Sequence, residues 1–538
     1  MTEEIGTSVL VVGGGPVGLA AAMELAHHGV ASVLVEPREQ VSFLRPRAKT
    51  TSARTMELFR RWSFADELRR RAPIGIDWSK DIVFCTTVTG REVTRLTGTL
   101  GLTLAGHDLS AEPGQQVAQP IVEEAMREAL DRSPHSTAMF GWRAVAIDER
   151  DDRVLVTIEA ADGETRLVTA DYVIGADGPR SVVRTAMGVA YQGSSLPRPN
   201  VSITFKSDEL GNLIPIGDAI QYWVLNPAAP GIVGRLDLSG TWWAISTARP
   251  DDPAGGTPAR RTGPEETVRT LLGRDDIPIE VITTDPWHSR TLVAGSYRRG
   301  RLFIAGDAAH QNPPWGGHGY NTGVGDSINL GWKLAAVLHG WAPDALLDSY
   351  ESERRPIAEL FVAAAGENGK SGPTALAVAA LMGTDEEFDQ VRPAVADGIQ
   401  LAKRIEFHSD GLVFGLGYDG NAAQQTTNGS DYLPVAASGN RLPHKWLAPG
   451  ESLFDRLGPE FTVIGAAADA AGFVKYAEHA GIPLAVLDDP VLGLAEFFGA
   501  GLVLVRPDQH IAWLGDSAPG EEAQDVLERA IRGFQQGS

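Results

Sequence analysis

Ser8-Val9-Leu10-Val11-Val12-Gly13-Gly14-Gly15-Pro16-Val17-Gly18, followed 18 residues later by Glu36, decides the fold. The apolar run predicts a strand, the glycines a tight turn, and the spacing of Val17, Leu19, Ala20, Met23 and Leu25 a helix over Pro16 to His27. Ser32 to Val35 is a second β-rich run, so the stretch closes as a βαβ unit ending on Glu36. Gly13, Gly15 and Gly18 spell G-x-G-x-x-G at the required junction. Bare glycines, with Pro16 and Val17 opening the helix, let its N-terminal amides approach a pyrophosphate, and Glu36 can accept bonds from ribose hydroxyls. Arg38, two residues on, joins this cofactor-binding set.

Outward from this unit, 538 residues suffice for three or four domains of about 150. Lys and Arg number 47 against 69 Asp and Glu, a net charge of −22. Such a surface repels nucleic-acid phosphates and anionic lipid heads, so neither partner is expected. The single cysteine, Cys85, allows no internal disulfide, which suits the cytoplasm. Glu3 and Glu4 precede the first apolar stretch and glycines break it, so no signal peptide or membrane anchor is expected. The histidines show no ligand spacing and no metal site is expected.

Along the chain, Thr55 to Arg71 and Ile121 to Asp131 read as helical, and Val154 to Glu159 with Thr165 to Val173 as a hairpin about Asp162-Gly163. Residues 188–290 alternate short β-rich runs with turns, which predicts a mostly antiparallel sheet inserted into an α/β domain. A strand returns at Leu302 to Ala305, with a helix from about Gly323 to Leu338. Gly366 to Pro373 reads as a linker, and a separate strand and helix pattern fills residues 400–538.

Two further motifs follow strands: Asp177-Gly178-Pro179-Arg180-Ser181-Val182-Val183-Arg184, and Gly306-Asp307-Ala308-Ala309-His310 continuing into Pro313-Pro314-Trp315-Gly316-Gly317-His318-Gly319-Tyr320-Asn321. Asp at a strand end can hold a ribityl or ribose hydroxyl while a helix start faces phosphates. With the first motif, these make the chain resemble the class A FAD-dependent aromatic hydroxylases, the group of para-hydroxybenzoate hydroxylase and phenol hydroxylase. The resemblance covers the whole chain. It implies a Rossmann-like FAD-binding domain over residues 1–72, 112–187 and 291–375, and a β-sheet substrate domain over 73–111 and 188–290. A connecting segment, 376–399, then leads to a thioredoxin-like domain over 400–538. No C-x-x-C exists in the chain, so that last domain cannot do dithiol chemistry; building an interface or a homodimer is its expected role.

The resemblance further implies tight, non-covalent FAD, with NAD(P)H as a transient co-substrate and O2 as oxidant, and oxygen transfer through a flavin C4a-hydroperoxide to an electron-rich phenolic or polycyclic ring. Asp307 would bind the ribityl-phosphate side. The Tyr320 and Asn321 amides, with Gly317 and Gly319 beside them, would face the pyrimidine edge, and the Pro314 carbonyl would lie near the reacting carbon. Arg47 resembles the arginine that reaches the flavin phosphates and takes part in the chemistry near the nicotinamide, or else is a surface arginine capping a helix. Gln119 resembles a ribityl-contacting glutamine, or else is a solvated amide. Val145 is a candidate adenine contact or an ordinary strand residue.

Candidate substrate contacts are Tyr222, Trp223, Arg235, Trp243, His288 and Trp315; for the sheet aromatics the competing reading is packing. His318 or His288 could assist phenol deprotonation, or be neutral and hydrogen-bonded. Baeyer-Villiger insertion on a polyketide-like ketone by the same scaffold, and a non-catalytic flavin-binding protein, remain alternatives. Gly415 to Gly420 repeats G-x-G-x-x-G without a following helix, and Gly369-Lys370-Ser371 lacks the earlier glycine of a P-loop, so both are set aside.

Overall fold

The computed structural model describes residues 4–103, 108–247, 262–369, 375–418, 429–488 and 493–534. The first apolar run forms the strand Glu4–Val12 at the middle of a sheet. Thr165–Gly175 and Ser32–Glu36 flank it in parallel, with Leu302–Ile304 outside the former and Ser136–Phe140 outside the latter. Strands buried on both faces need continuous apolar sequence, which is how residues 9–12, 33–35 and 302–304 read. Register aligns Val12 with Gly175 and Val35, and Gly175 with Ile304, so the strands that carry the three glycine motifs end at one edge. In an open α/β sheet that edge is the ligand-binding one.

The inserted sheet runs, in spatial order, His310–Gln311, Glu280–Ala294, Tyr191–Lys206, Thr241–Ser246, Gly231–Arg235, Gln221–Val224, Ile82–Cys85 and Glu92–Leu96. Gln221–Val224 pairs Ile82–Cys85 in parallel and the other neighbours are antiparallel. One face packs on the helix Pro264–Leu272 through Phe205, Tyr222, Val233, Trp242 and Leu271. The other face meets Trp315 of the glycine-rich loop.

Helix Ser349–Asn368 runs into the expected linker, of which residues 370–373 lie outside the described residues. Helix Asp385–Phe407 crosses the expected boundary at residue 400 and packs Phe388, Val395, Ile399 and Phe407 against Ile82 and Phe84 of the inserted sheet. Its N-terminus is a capping box, Thr384 with Glu387, a signal legible in the sequence. The C-terminal unit is a four-stranded sheet ordered Leu484–Leu487, Phe461–Gly465, Leu502–Val505, Ile511–Gly515, the first pair parallel and the rest antiparallel. With the helices Ala471–Ala480 and Gly520–Ala530 this is a thioredoxin-like arrangement. Phe461, Leu502 and Val526 bury it against Trp332 and Trp341 of the first domain.

Candidate active site

Gly18 has no room for a side chain: a Cβ there would lie 1.8 Å from the Gly13 oxygen. Gly13 has φ +108°, and its Cβ would strike the Ala176 oxygen at 2.4 Å, so the first and second motifs meet through bare backbone. Glycines of the third motif close on Val17 in the same way, since Cβ atoms at Gly306 and Gly323 would stand 2.8 and 2.6 Å from its Cγ2. Gly15, by contrast, faces open space at the start of the helix Pro16–His27, whose first amides have no intrahelical acceptors. An anion fits there.

Beside it, buried Glu36 accepts the Gly14 N–H at 2.8 Å and the Arg38 Nε at 2.6 Å. Arg38 continues to Glu123 at 3.3 Å, and Gln119 donates to Glu123 at 2.7 Å while accepting the Ala48 N–H at 3.3 Å. Asp177 caps the next helix through Oδ2, 2.6 Å from the Val182 N–H, and leaves Oδ1 buried without a partner. Burial raises its carboxyl, so a ligand hydroxyl would relieve an existing cost. Asp307 opens to the cleft; the protein packed round it raises its carboxyl, against the opposing pull of His310, Arg47 and Arg290. Arg47 is exposed beside it. Arg184 and Tyr191 lock the two motifs together: Arg184 donates to the Tyr191 hydroxyl at 2.6 Å and to the Ala308 backbone carbonyl at 3.2 Å, and Tyr191 to the Asp307 backbone carbonyl at 2.5 Å.

In the loop, the Pro314 carbonyl accepts the Gly317 N–H at 3.1 Å, a turn that Gly316 and Gly317 make with φ of +86° and +71°. The helix then begins at Gly319, a turn earlier than the spacing predicts. Tyr320 and Asn321 spend their side chains on fixing it: the Tyr320 hydroxyl bonds the Thr51 hydroxyl, and the Asn321 Nδ2 donates to the Thr50 oxygen at 3.2 Å while its Oδ1 accepts the Ser52 N–H at 3.0 Å. The first helical N–H to find its acceptor is that of Thr322, on the His318 oxygen at 2.9 Å. The amides of Gly319, Tyr320 and Asn321 therefore form the positive end of the helix Gly319–Leu338. Donors so fixed suit charge that develops on a bound ring.

Facing this loop, the inner side of the inserted sheet presents Trp223, Ile232, Trp243, Ile245 and Trp287, with Trp315 joining from the loop. Trp223 and Trp315 stand 5.7 Å apart between ring centres. Strand alternation splits the expected contacts. Trp223 and Trp243 face the chamber. Tyr222 points to the opposite face, its hydroxyl donating to the Gly217 oxygen at 2.8 Å, and so does Arg235, stacked 4.2 Å over Trp242. His288 is exposed next to inward-facing Trp287 and contacts the Leu196 oxygen at 3.1 Å. Trp287 and Lys49, whose ammonium lies 4.4 Å over Trp243, are chamber residues that sequence reasoning missed.

His318, expected as a candidate base, is turned elsewhere. Its ring packs 4.9 Å from Phe361, its Nε2 is buried without a hydrogen bond, and burial lowers its pKa to about 4. It lines a cavity of about 90 Å³ toward the C-terminal domain that shares none of the chamber tryptophans. Val145 sits at an irregularity of the strand Trp142–Glu149 and is 39% exposed. Among the described residues no group of three or more His, Cys, Asp or Glu could hold a metal ion, and no helix is long and apolar enough to cross a membrane.

Together the fold and the cradle define a flavin-dinucleotide oxidoreductase whose glycine-rich loop meets an aromatic face of the inserted sheet. A family model for an FAD binding domain matches residues 6–365, and one for the C-terminal region of aromatic-ring hydroxylases matches residues 436–533. The chain is 32% identical to an FAD-dependent monooxygenase, apdD, of Emericella nidulans, over 98% of this chain and 90% of that one. It is 33% identical to the tetracenomycin B2 monooxygenase-dioxygenase of Streptomyces olivaceus, over 98% of each. The rebeccamycin biosynthetic enzyme RebC, solved with reduced flavin, superposes with a TM-score of 0.87 at 31% identity, covering 99% of this chain and 100% of that one. The chain belongs to the FAD-dependent aromatic-ring hydroxylase family and is a flavin monooxygenase. FAD is its cofactor, and the bare-backbone cradle, the free helix amides and the unpaired Asp177 oxygen fit it.

Proposed function

We propose that the enzyme hydroxylates a phenolic ring of a polycyclic, polyketide-like aromatic. The observation that carries this reading is the aromatic cluster on the inner face of the inserted sheet, where the indoles of Trp223, Trp243 and Trp287 pack together with Trp315 of the glycine-rich loop. Flat apolar walls of this kind suit a fused planar ring better than a single small phenol. Relatives named for tetracenomycin and aklavinone chemistry support the same class.

When bound, FAD supplies hydride acceptance from NAD(P)H and oxygen activation. The protein's own groups orient and shield. Glu36 and the amides beyond Gly15 hold the adenosine and pyrophosphate side, and Asp177 and Asp307 take ribityl or phosphate-side hydroxyls. The Gly319, Tyr320 and Asn321 amides stabilise negative charge on the ring that the loop faces. The tryptophans exclude water and fix the substrate plane. Arg47, exposed near Asp307, is placed to meet anionic groups of the nicotinamide donor.

The test is NAD(P)H oxidation by the FAD-loaded enzyme, with hydrogen peroxide quantified in parallel, across mono- and polycyclic phenols. The expected result is strong stimulation with little peroxide for fused-ring phenols. Stimulation confined to monocyclic phenols, or electrons lost wholly as peroxide, would overturn the reading.

A further inference from the structure

Lys49 immediately precedes the strand Thr50–Thr51, which is bonded to the cofactor helix through Tyr320 and Asn321. Its side chain reaches the inner face of the inserted sheet, with Nζ 4.4 Å over Trp243. Among the described residues no carboxylate lies within ion-pairing distance of it, in a chain with 69 acidic residues to choose from. The neighbouring cations differ. Lys403, 4.8 Å over Trp223, is neutralised by Glu406 at 2.8 Å and donates to the Asn368 oxygen. Arg45 faces Asp285 at 3.7 Å, Arg290 donates to Gln311 at 2.9 Å, and Arg47 acts on Asp307. Burial alone lowers the Lys49 ammonium to about 8, with no charged neighbour contributing.

A half-buried cation set against an indole face without a counter-ion is costly unless a ligand brings the charge. We propose that Lys49 anchors the ionised ring oxygen of the substrate, so that the enzyme binds its aromatic as the phenolate. The phenol's proton leaves to solvent and Lys49 remains an ammonium; the ring carbons ortho and para to the oxyanion gain the electron density that oxygen transfer requires. This rests on the hydroxylase reading above.

The test uses alizarin, a fused-ring phenol whose absorption moves to wavelengths beyond the flavin bands on ionisation. It is titrated into FAD-loaded enzyme at a pH about one unit below the free dye's own pKa. An opposite charge within a few ångströms favours the anion by about 1–3 pKa units, so the anion should bind about 10- to 1000-fold more tightly than the neutral dye, and at that pH the dye bound to the wild type should be from about half to about 99% ionised, against about a tenth in free solution. Lys49→Met should bind it neutral and more weakly, and Lys49→Arg should restore the anion. In turnover, KM should rise above pH 8 in the wild type, and that limb should vanish in Lys49→Arg, whose guanidinium does not titrate there. Flavin absorbance retained through gel filtration certifies each variant. Dye bound neutral by the wild type, or equally ionised by Lys49→Met, overturns the anchor; a dye that does not bind the wild type at all overturns the polycyclic-phenol reading beneath it.

Discussion

Half-buried Lys49 and fully buried Lys333 both have ammonium groups that burial lowers to about 8, yet they sit in opposite kinds of surroundings. Lys333, at the junction with the C-terminal domain, meets Glu353 at 2.7 Å. Arg506 also grips that carboxylate, at 2.9 and 2.8 Å, and adds Asp508 at 2.7 Å. All four side chains are at most 1% exposed, and two positive charges balance two negative ones. Among the described residues the cleft has no such closure: Lys49 meets a ring face and no carboxylate, Asp177 keeps an unpaired oxygen, and three helix amides lack acceptors. A junction must satisfy its charges internally because nothing else arrives; a site leaves them open because a ligand completes them.

The largest expected effect would break the cleft itself. Gly18→Ala puts a methyl 1.8 Å from a backbone oxygen, an overpacking that cannot be relieved by a rotamer, and should cost more than about 3 kcal/mol of FAD binding. Flavin absorbance after gel filtration reads this, and a variant that stays yellow contradicts the bare-backbone cradle. Next comes His318, which burial holds neutral. Its pKa is about 4 folded and near 6.5 unfolded, so the unfolded chain binds more protons between those values. Stability therefore rises with pH across that window, by roughly 3 kcal/mol in total. His318→Asn should flatten that slope in denaturant titrations while leaving the pH profile of turnover unchanged above pH 6; a shifted profile would return His318 to the chemistry.

Smaller effects separate the two faces of the sheet. Trp243→Leu should raise KM for a fused-ring phenol about tenfold, the equivalent of roughly 1.4 kcal/mol of lost contact. Tyr222→Phe, one face away, should leave KM and kcat unchanged and cost only about 1 kcal/mol of stability from its hydroxyl's bonds to Gly217 and Ala219. Equal effects from the two variants would contradict the assignment of faces.

How much of this could be read beforehand follows from the kind of constraint. Close backbone approach requires glycine at fixed positions, so Gly13, Gly18 and Gly306 announce the cradle. Alternation says that Tyr222 and Trp223 point opposite ways but not which one faces the cofactor; that depends on Pro264–Leu272 covering one side, a fact of tertiary packing. Lys49 carries no motif, since a lone lysine becomes informative only when its missing partner is visible. The junction was equally silent because Glu353 and Arg506 are 153 residues apart. The helix Asp385–Phe407 went unread and the domain boundary was drawn through it, although Thr384-x-x-Glu387 at its start has the spacing of a capping box.

The difference between the two regions is tested most directly by one matched pair, Lys49→Met and Lys333→Met, each assayed for unfolding free energy at pH 7 and for KM with a fused-ring phenol. Lys333→Met should lose about 3–5 kcal/mol of stability by leaving Glu353 undercompensated, with KM unchanged in the folded fraction. Lys49→Met should keep its stability and lose the phenol. Stability lost with Lys49 and substrate binding lost with Lys333 would contradict the account.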